Sequence, residues 1–268
     1  MTSLLARRRH PLATAALLFV ALLAVGGIYA AATGGRARAD AQTVASTQIE
    51  LGRKLFAEGC SSCHGMNADG GQQPDGTQSG PSLIGVGAAA VDFQVGTGRM
   101  PLQANGAQAK PGTPSYTQDE ISALAAYIAS LGPGPAIPDA STYDSTDADV
   151  VLGGQLFRAN CAACHNFAGS GGALTWGKRA PAIVNTEPRH IYEAMLTGPA
   201  NMPVFPDSTL RPADKRAIIA YVRTLHDAPN PGGLDLGRVG PVTEGLVFWV
   251  VGIGALILTA VWLGAKAK

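Results

Sequence analysis

Residues 60–64 read Cys60-Ser61-Ser62-Cys63-His64, and residues 161–165 repeat the pattern as Cys161-Ala162-Ala163-Cys164-His165. Two cysteines separated by two residues, with a histidine directly after, form the attachment signature of c-type haem. The spacing has a chemical reason. The thiols fall about one helical turn apart, so each can add to one vinyl group on the same porphyrin edge, and the adjoining histidine reaches the iron as proximal ligand. A bare CxxC would be shared with thioredoxin-like redox pairs and zinc knuckles. Pairing the four cysteines as two disulfides would leave both histidines unexplained. Two covalently bound haem c groups are therefore expected, one on Cys60 and Cys63 with His64, the other on Cys161 and Cys164 with His165.

The 268 residues suffice for two small domains plus membrane segments. With Gly 34 and Pro 18, much of the structure should be loop, which suits a small domain whose largest apolar body is a porphyrin. All four cysteines are used by the motifs, and c-type haem is attached outside the cytoplasmic membrane, so export is implied. A formal net charge of +1 argues against a nucleic-acid partner. The balance is uneven: residues 40–146 carry four basic and ten acidic side chains, a net −6, whereas 147–239 carry nine and eight, a net +1. The acidic half reads either as a docking face for a basic partner or as a solvated surface.

Residues 1–39 read as a signal or membrane anchor. Arg7-Arg8-Arg9 precede an apolar run from Leu12 to Ala32, long enough to span a bilayer, and Ala37-Arg38-Ala39 offers a cleavage site. Residues 40–132 form the first haem unit. Ser46 or Thr47 is expected to cap a helix carrying Leu51, Leu55 and Phe56 into Cys60. A polar stretch to Gly80 reads as exposed loop. Thr117 and Glu120 form a capping box opening a helix with Ile121, Leu124, Ile128 and Leu131, stopped by Gly132. Residues 133–146 read as an extended Pro/Gly-rich linker.

The second unit, 147–228, repeats the first. Leu152, Leu156 and Phe157 precede Cys161, Ala180-Pro181-Ala182-Ile183 answers Gly80-Pro81-Ser82-Leu83, and Pro212 opens a helix carrying Ile218, Ile219, Val222 and Leu225. A juxtamembrane segment, 229–244, leads to a transmembrane helix at 245–265, with Trp249 and Trp262 near its ends. Lys266 and Lys268 place the tail, 266–268, in the cytoplasm and the haem units on the extracytoplasmic side of the cytoplasmic membrane.

Each iron needs a sixth ligand, and methionine there favours electron transfer over catalysis. Met100 and Met202 each precede a proline, 40 and 41 residues beyond the first cysteine of their motif. Met66 lies too close to His64 to reach across the ring, and Met195 reads as helix core. His190 and His226 have no counterparts in the first repeat. Surface or capping roles are expected for both, with His190 as a rival iron ligand. Trp176, Tyr127 and Tyr221 read as haem-wall packing. Pro81 and Pro181 sit where c-type cytochromes place a proline whose carbonyl orients the proximal histidine.

With these features the chain resembles the dihaem cytochrome c subunits of the actinobacterial menaquinol–cytochrome c reductase, the cytochrome bcc complex. Gly80-Pro81-Ser82-Leu83-Ile84-Gly85-Val86-Gly87, Phe93-Gln94-Val95-Gly96-Thr97-Gly98-Arg99-Met100-Pro101 and Gly240-Pro241-Val242-Thr243-Glu244-Gly245 carry the likeness. The resemblance implies a mainly α fold: two tandem class I cytochrome c-like haem domains with a helix at each end for signal or anchor and for membrane span. It implies a subunit of a quinol–cytochrome c reductase, a translocase. Its partners would be a cytochrome b subunit, a Rieske iron–sulfur subunit and an aa-type cytochrome c oxidase. Two tethered haems would replace a diffusing carrier. On this reading, reversing Asp69, Asp75 and Asp92 in the acidic first domain should slow one electron-transfer step. A dihaem peroxidase would need one open iron, which Met100 and Met202 oppose. A dihaem subunit of a cbb-type oxidase is typically anchored at its N-terminus alone. A free membrane-anchored shuttle is the third alternative.

Overall fold

The structure, a computed structural model, describes residues 11–72, 76, 78–104, 106–228 and 241–266. Arg7-Arg8-Arg9, His10, Asp75, residues 229–240 and Lys268 lie outside that set. The first helix, α1, runs unbroken over Pro11–Gly59. Ser46 and Thr47 do not cap it. Both hydroxyls donate to Thr43 O at 2.9 Å, the bond a mid-helix Ser or Thr makes with the carbonyl one turn back. The backbone is therefore helical across the expected 39/40 boundary. Leu12–Ala31 forms a 20-residue apolar segment of mean hydropathy 2.3, none of it buried, and at 1.5 Å per residue it matches about 30 Å of hydrocarbon.

The last turns of α1 cross α4 (Gln118–Ser130), and this crossing organises the first unit. The buried edge of α1 is Gly52 and Phe56, not Leu51, which is 39% exposed. A Cβ on Gly52 would overlap the carbonyl of Ala123, so glycine lets the backbones meet. Phe56, 2% exposed, then packs on Tyr127 at 5.4 Å between ring centres. The Thr117 hydroxyl accepts from Glu120 N, and the Glu120 carboxylate accepts from Thr117 N at 2.8 Å, completing the expected box. Gly132 is not a left-handed stop: the helix ends at Ser130 with Leu131 in αR geometry, and Gly132 instead lies against Gly85.

Between these helices come the single turn α2 (Ser61–His64), a two-stranded ribbon of β1 (Gly71–Gln72) and β2 (Gln78–Gly80), and α3 (Ala88–Gly96). The stretch after His64 is more than exposed loop. Ala68 is fully buried and its carbonyl accepts from Leu83 N at 2.8 Å.

Residues 133–146 are packed where an extended linker is expected. Pro135 O accepts from Ala89 N at 3.1 Å, Ile137 packs on the first core and Tyr143 on the second, and α5 (Ala140–Tyr143) forms a helical turn. Its three prolines fix φ without preventing such contacts.

The second unit repeats the plan with α6 (Val150–Asn160), α7 (Ala162–His165), β3 (Gly172–Ala173), β4 (Arg179–Ala180), α8 (Pro188–Thr197) and α9 (Pro212–Asp227). Asp149 caps α6 through Val151 N and Leu152 N at 2.9 and 3.0 Å. Gly153 meets the Ala217 carbonyl as Gly52 meets Ala123, and Phe157 packs on Tyr221 at 5.3 Å. The tyrosines thus buttress the helix crossings. Ile218, Ile219 and Val222 are buried as expected. Finally α10 (Pro241–Lys266) contains the apolar span Gly245–Lys266, of mean hydropathy 2.5 and wholly exposed.

Candidate haem-binding sites

Each CxxCH pentad forms one tight turn at the end of its crossing helix. Cys63 N and His64 N both donate to Cys60 O, at 3.1 and 3.0 Å, and Cys164 N and His165 N donate to Cys161 O, at 3.2 and 2.9 Å. Both cysteines of a motif are thereby held on one helical turn. None of the four is disulfide-bonded. Cys60 and Cys161 are half-buried, Cys63 and Cys164 exposed. Burial, and after it the neighbouring Cys164, pushes the Cys161 thiol up to about 11.

The residue after each histidine takes positive φ, Gly65 at 78° and Asn166 at 66°, turning the chain back. Gly70 N then returns to His64 O and Gly171 N to His165 O, each at 2.9 Å. This brings β2 and β4 under the rings. His64 Nδ1 donates to Pro81 O at 2.8 Å, and His165 Nδ1 donates to Pro181 O at 2.9 Å. A carbonyl can only accept, so the proton sits on Nδ1 and the Nε2 lone pair is free for a metal. For His165, burial outweighs this bond and lowers its pKa, favouring the neutral, ligating form.

The second unit surrounds a cavity of about 350 Å³ with Phe157, Cys161, Cys164, His165, Pro181 and Met202 on its walls. Met202 is half-buried and packs on the second core, and Met195, 2% exposed, is core as expected. The cavity is closed partly by the first unit, through Phe93, Arg99, Met100 and Gln108. Met100, half-buried, touches the first core and this wall at once, and its bond to Pro101 is cis. The paired cysteines, the Nδ1-tied histidines and the apolar cavity that Met202 also lines fit haem c.

Several residues differ from expectation. Trp176 is not in a cavity wall: it is 90% exposed at the tip of the β3–β4 ribbon, with φ 59°. Asp92 is fully buried, and His190, 7% exposed, is not a surface residue. Its Nδ1 is held by Glu193 Oε2 at 2.8 Å. His226 is exposed and engages Asn185 at 2.9 Å.

Comparison with known proteins gives the family. Over 97% of its length the chain is 44% identical to the cytochrome bc1 complex cytochrome c subunit of Corynebacterium efficiens, covering 90% of that protein. It is likewise 44% identical to that of Mycobacterium tuberculosis over 97% of its length and 93% of the relative, and 45% identical to that of Mycobacterium leprae over 94% and 87%. The chain belongs to the actinobacterial cytochrome bc1 complex cytochrome c subunits. Residues 49–132 match the cytochrome c family and 148–222 match the family described as cytochrome c oxidase, cbb3-type, subunit III. The fold is accordingly mainly helical with two cytochrome c domains and an apolar helix towards each end. As a cytochrome c subunit, the chain is a haem c electron carrier of a quinol–cytochrome c reductase complex, and its two apolar helices associate it with the membrane.

Sequence reasoning missed the helix-crossing glycines and the contact between the two units. The first left a signal: Gly-x-x-x-Phe, Gly52–Phe56 and Gly153–Phe157, ends four residues before each motif. The second is built from Asp92, Arg189, His190 and Glu193, with Gln108 reaching across to the backbone of Arg179. Its one signal was that His190 has no partner in the first repeat.

Proposed function

We propose that the chain carries two haem c groups and relays electrons one at a time from a Rieske iron–sulfur subunit to an aa-type cytochrome c oxidase, in an assembly with a cytochrome b subunit. Cys60 and Cys63 would hold the first haem and Cys161 and Cys164 the second. His64 and His165 would present Nε2 to the irons, Met100 and Met202 would fill the opposite positions, and Pro81 and Pro181 would fix the rings. The observation that carries this reading is the pair of matched clamps, His64–Pro81 at 2.8 Å and His165–Pro181 at 2.9 Å. Each leaves one lone pair aimed away from its strand. Haem c supplies a one-electron iron couple, and no proton or bond need change. The chain's own part is to keep both axial positions filled, which opposes oxygen or peroxide chemistry.

The two units share a wall, so an electron would pass between sites inside one chain rather than by diffusion. The haem units would lie on the extracytoplasmic side, with the C-terminus cytoplasmic by the positive-inside tendency. A mild-detergent pull-down through a C-terminal tag, with a reduced-minus-oxidised spectrum, tests the assembly. Bands of b-type and a-type haem should accompany the c-type band. A c-type band alone in the gentlest detergent would replace this reading with a free anchored shuttle.

A further inference from the structure

Where α3 of the first unit meets α8 of the second, three potential ligands converge in a dry setting. Asp92 and Glu193 are fully buried and His190 is 7% exposed. One donor atom from each lies within 4.8 Å of the others. His190 Nδ1 stands 2.8 Å from Glu193 Oε2 and 4.0 Å from Asp92 Oδ2. A tetrahedral ion with bonds near 2.0–2.1 Å would set its donors about 3.3 Å apart, and the observed separations bracket that value. Glu193 Oε1 is buried with no hydrogen-bond partner among the described residues, whereas Asp92 Oδ2, also buried, is faced by the Arg189 guanidinium at 3.2 Å. Buried carboxylates are normally paired or bound to metal.

We propose that Asp92, His190 and Glu193 form a site for a divalent d-block cation, of which Zn²⁺ is the probe, that clamps the two haem-bearing units together. The donor set, one imidazole nitrogen and two carboxylates, suits such an ion better than Ca²⁺ or Mg²⁺, which favour all-oxygen shells. Both sides of the interface contribute, Asp92 from the first unit and His190 with Glu193 from one face of α8. None of the three is a CxxCH histidine or a loop methionine, although His190 also lines the cavity that His165 and Met202 border.

Charge balance sets how the ion would be taken up. The Glu193 carboxyl is pushed up to about 9 by burial first, then by Asp92. The His190 pKa is lowered chiefly by burial, with Asp92 and Glu187 opposing and Arg189 and Arg99 reinforcing. Arg189 Nε lies 3.2 Å from Asp92 Oδ2, yet that side chain is 23% exposed and can turn to solvent past Gln118. The ion would take the place of the Arg189 contact on Asp92, and the two carboxylates together match its charge.

The test uses the haem-loaded full chain in detergent, stripped of metal by a chelator and titrated with Zn²⁺ against a chromophoric zinc indicator at pH 6, 7 and 8. One equivalent should compete with the indicator. E193Q keeps the side-chain volume and removes one anionic donor, so it should fold with an unchanged haem spectrum and bind at least about tenfold more weakly. D92N, as a second variant, should do the same. Absence of a competing equivalent in the wild-type chain, or one kept undiminished in both variants, would overturn the site. The first of those results leaves a shared proton as the group that satisfies the cluster.

Discussion

A methyl group added at Gly153 tests the architecture that holds the second CxxCH turn. In G153A the new Cβ would fall inside the carbonyl of Ala217, with the carbonyl carbon only 2.5 Å away. Carbon atoms pack at about 3.5 Å, so α6 and α9 must separate by about 1 Å. Glycine-to-alanine in a helix is by itself favourable by about 1 kcal/mol, whereas overpacking a fixed core contact costs about 1–3 kcal/mol. The contact is backbone and cannot swing away, so the upper part of that range applies and G153A should be net destabilising by about 1–2 kcal/mol. The neighbouring Gly154 supplies the control. Its added Cβ would meet the Tyr221 ring at 3.1 Å and the tip of Arg158 at 3.3 Å. The Arg158 end can move and the Tyr221 ring edge must give by only a few tenths of an ångström, so G154A should cost clearly less than G153A. Denaturant unfolding of the haem-loaded chain, followed at the haem band, reads both variants. Equal stabilities for G153A and G154A would refute the glycine-contact explanation of the crossing.

Replacing Met202 with alanine should open one iron. Carbon monoxide should then alter the spectrum of the reduced chain by one haem's worth, where the wild-type chain shows no response, and that haem's potential should fall. The raised Glu193 pKa contributes stability fully present below about pH 4.5 and lost as pH rises through about 9. With metal chelated, the thermal midpoint of the wild-type chain should therefore fall more steeply across that window than that of E193Q. Asp69 is exposed and Asp92 is not. D69K should leave stability within about 0.5 kcal/mol while slowing one electron-transfer step, whereas D92K sets a lysine beside Arg189 and should cost about 3 kcal/mol or more in unfolding. Equal stability losses in D69K and D92K would contradict this placement.

The parts legible in the sequence were those written in local chemistry. CxxCH, the Thr117–Glu120 box, proline at the start of α9 and the apolar span of α10 each depend on residues a few positions apart, and each stands where spacing put it. Pro81 and Pro181 were legible because duplication showed them twice. What escaped depends on contacts distant in sequence. Ser46 and Thr47 have cap chemistry, but α1 runs unbroken from its apolar segment through them and leaves them no free amide end to cap. The prolines of 133–146 suggested a free linker, yet Ile137 and Tyr143 each find a core. Trp176 looked like a cavity wall by size alone, and the tight β3–β4 ribbon turns it outward. Asp92 counted as surface charge because its partners, Arg189 and Glu193, lie about a hundred residues away.

The central claim, two filled haem sites acting as a one-electron relay, is tested most directly by spectroelectrochemical titration of the purified chain with and without carbon monoxide. Two one-electron steps per polypeptide are expected, both unmoved by carbon monoxide. A single step, or a step displaced by the gas, would contradict it.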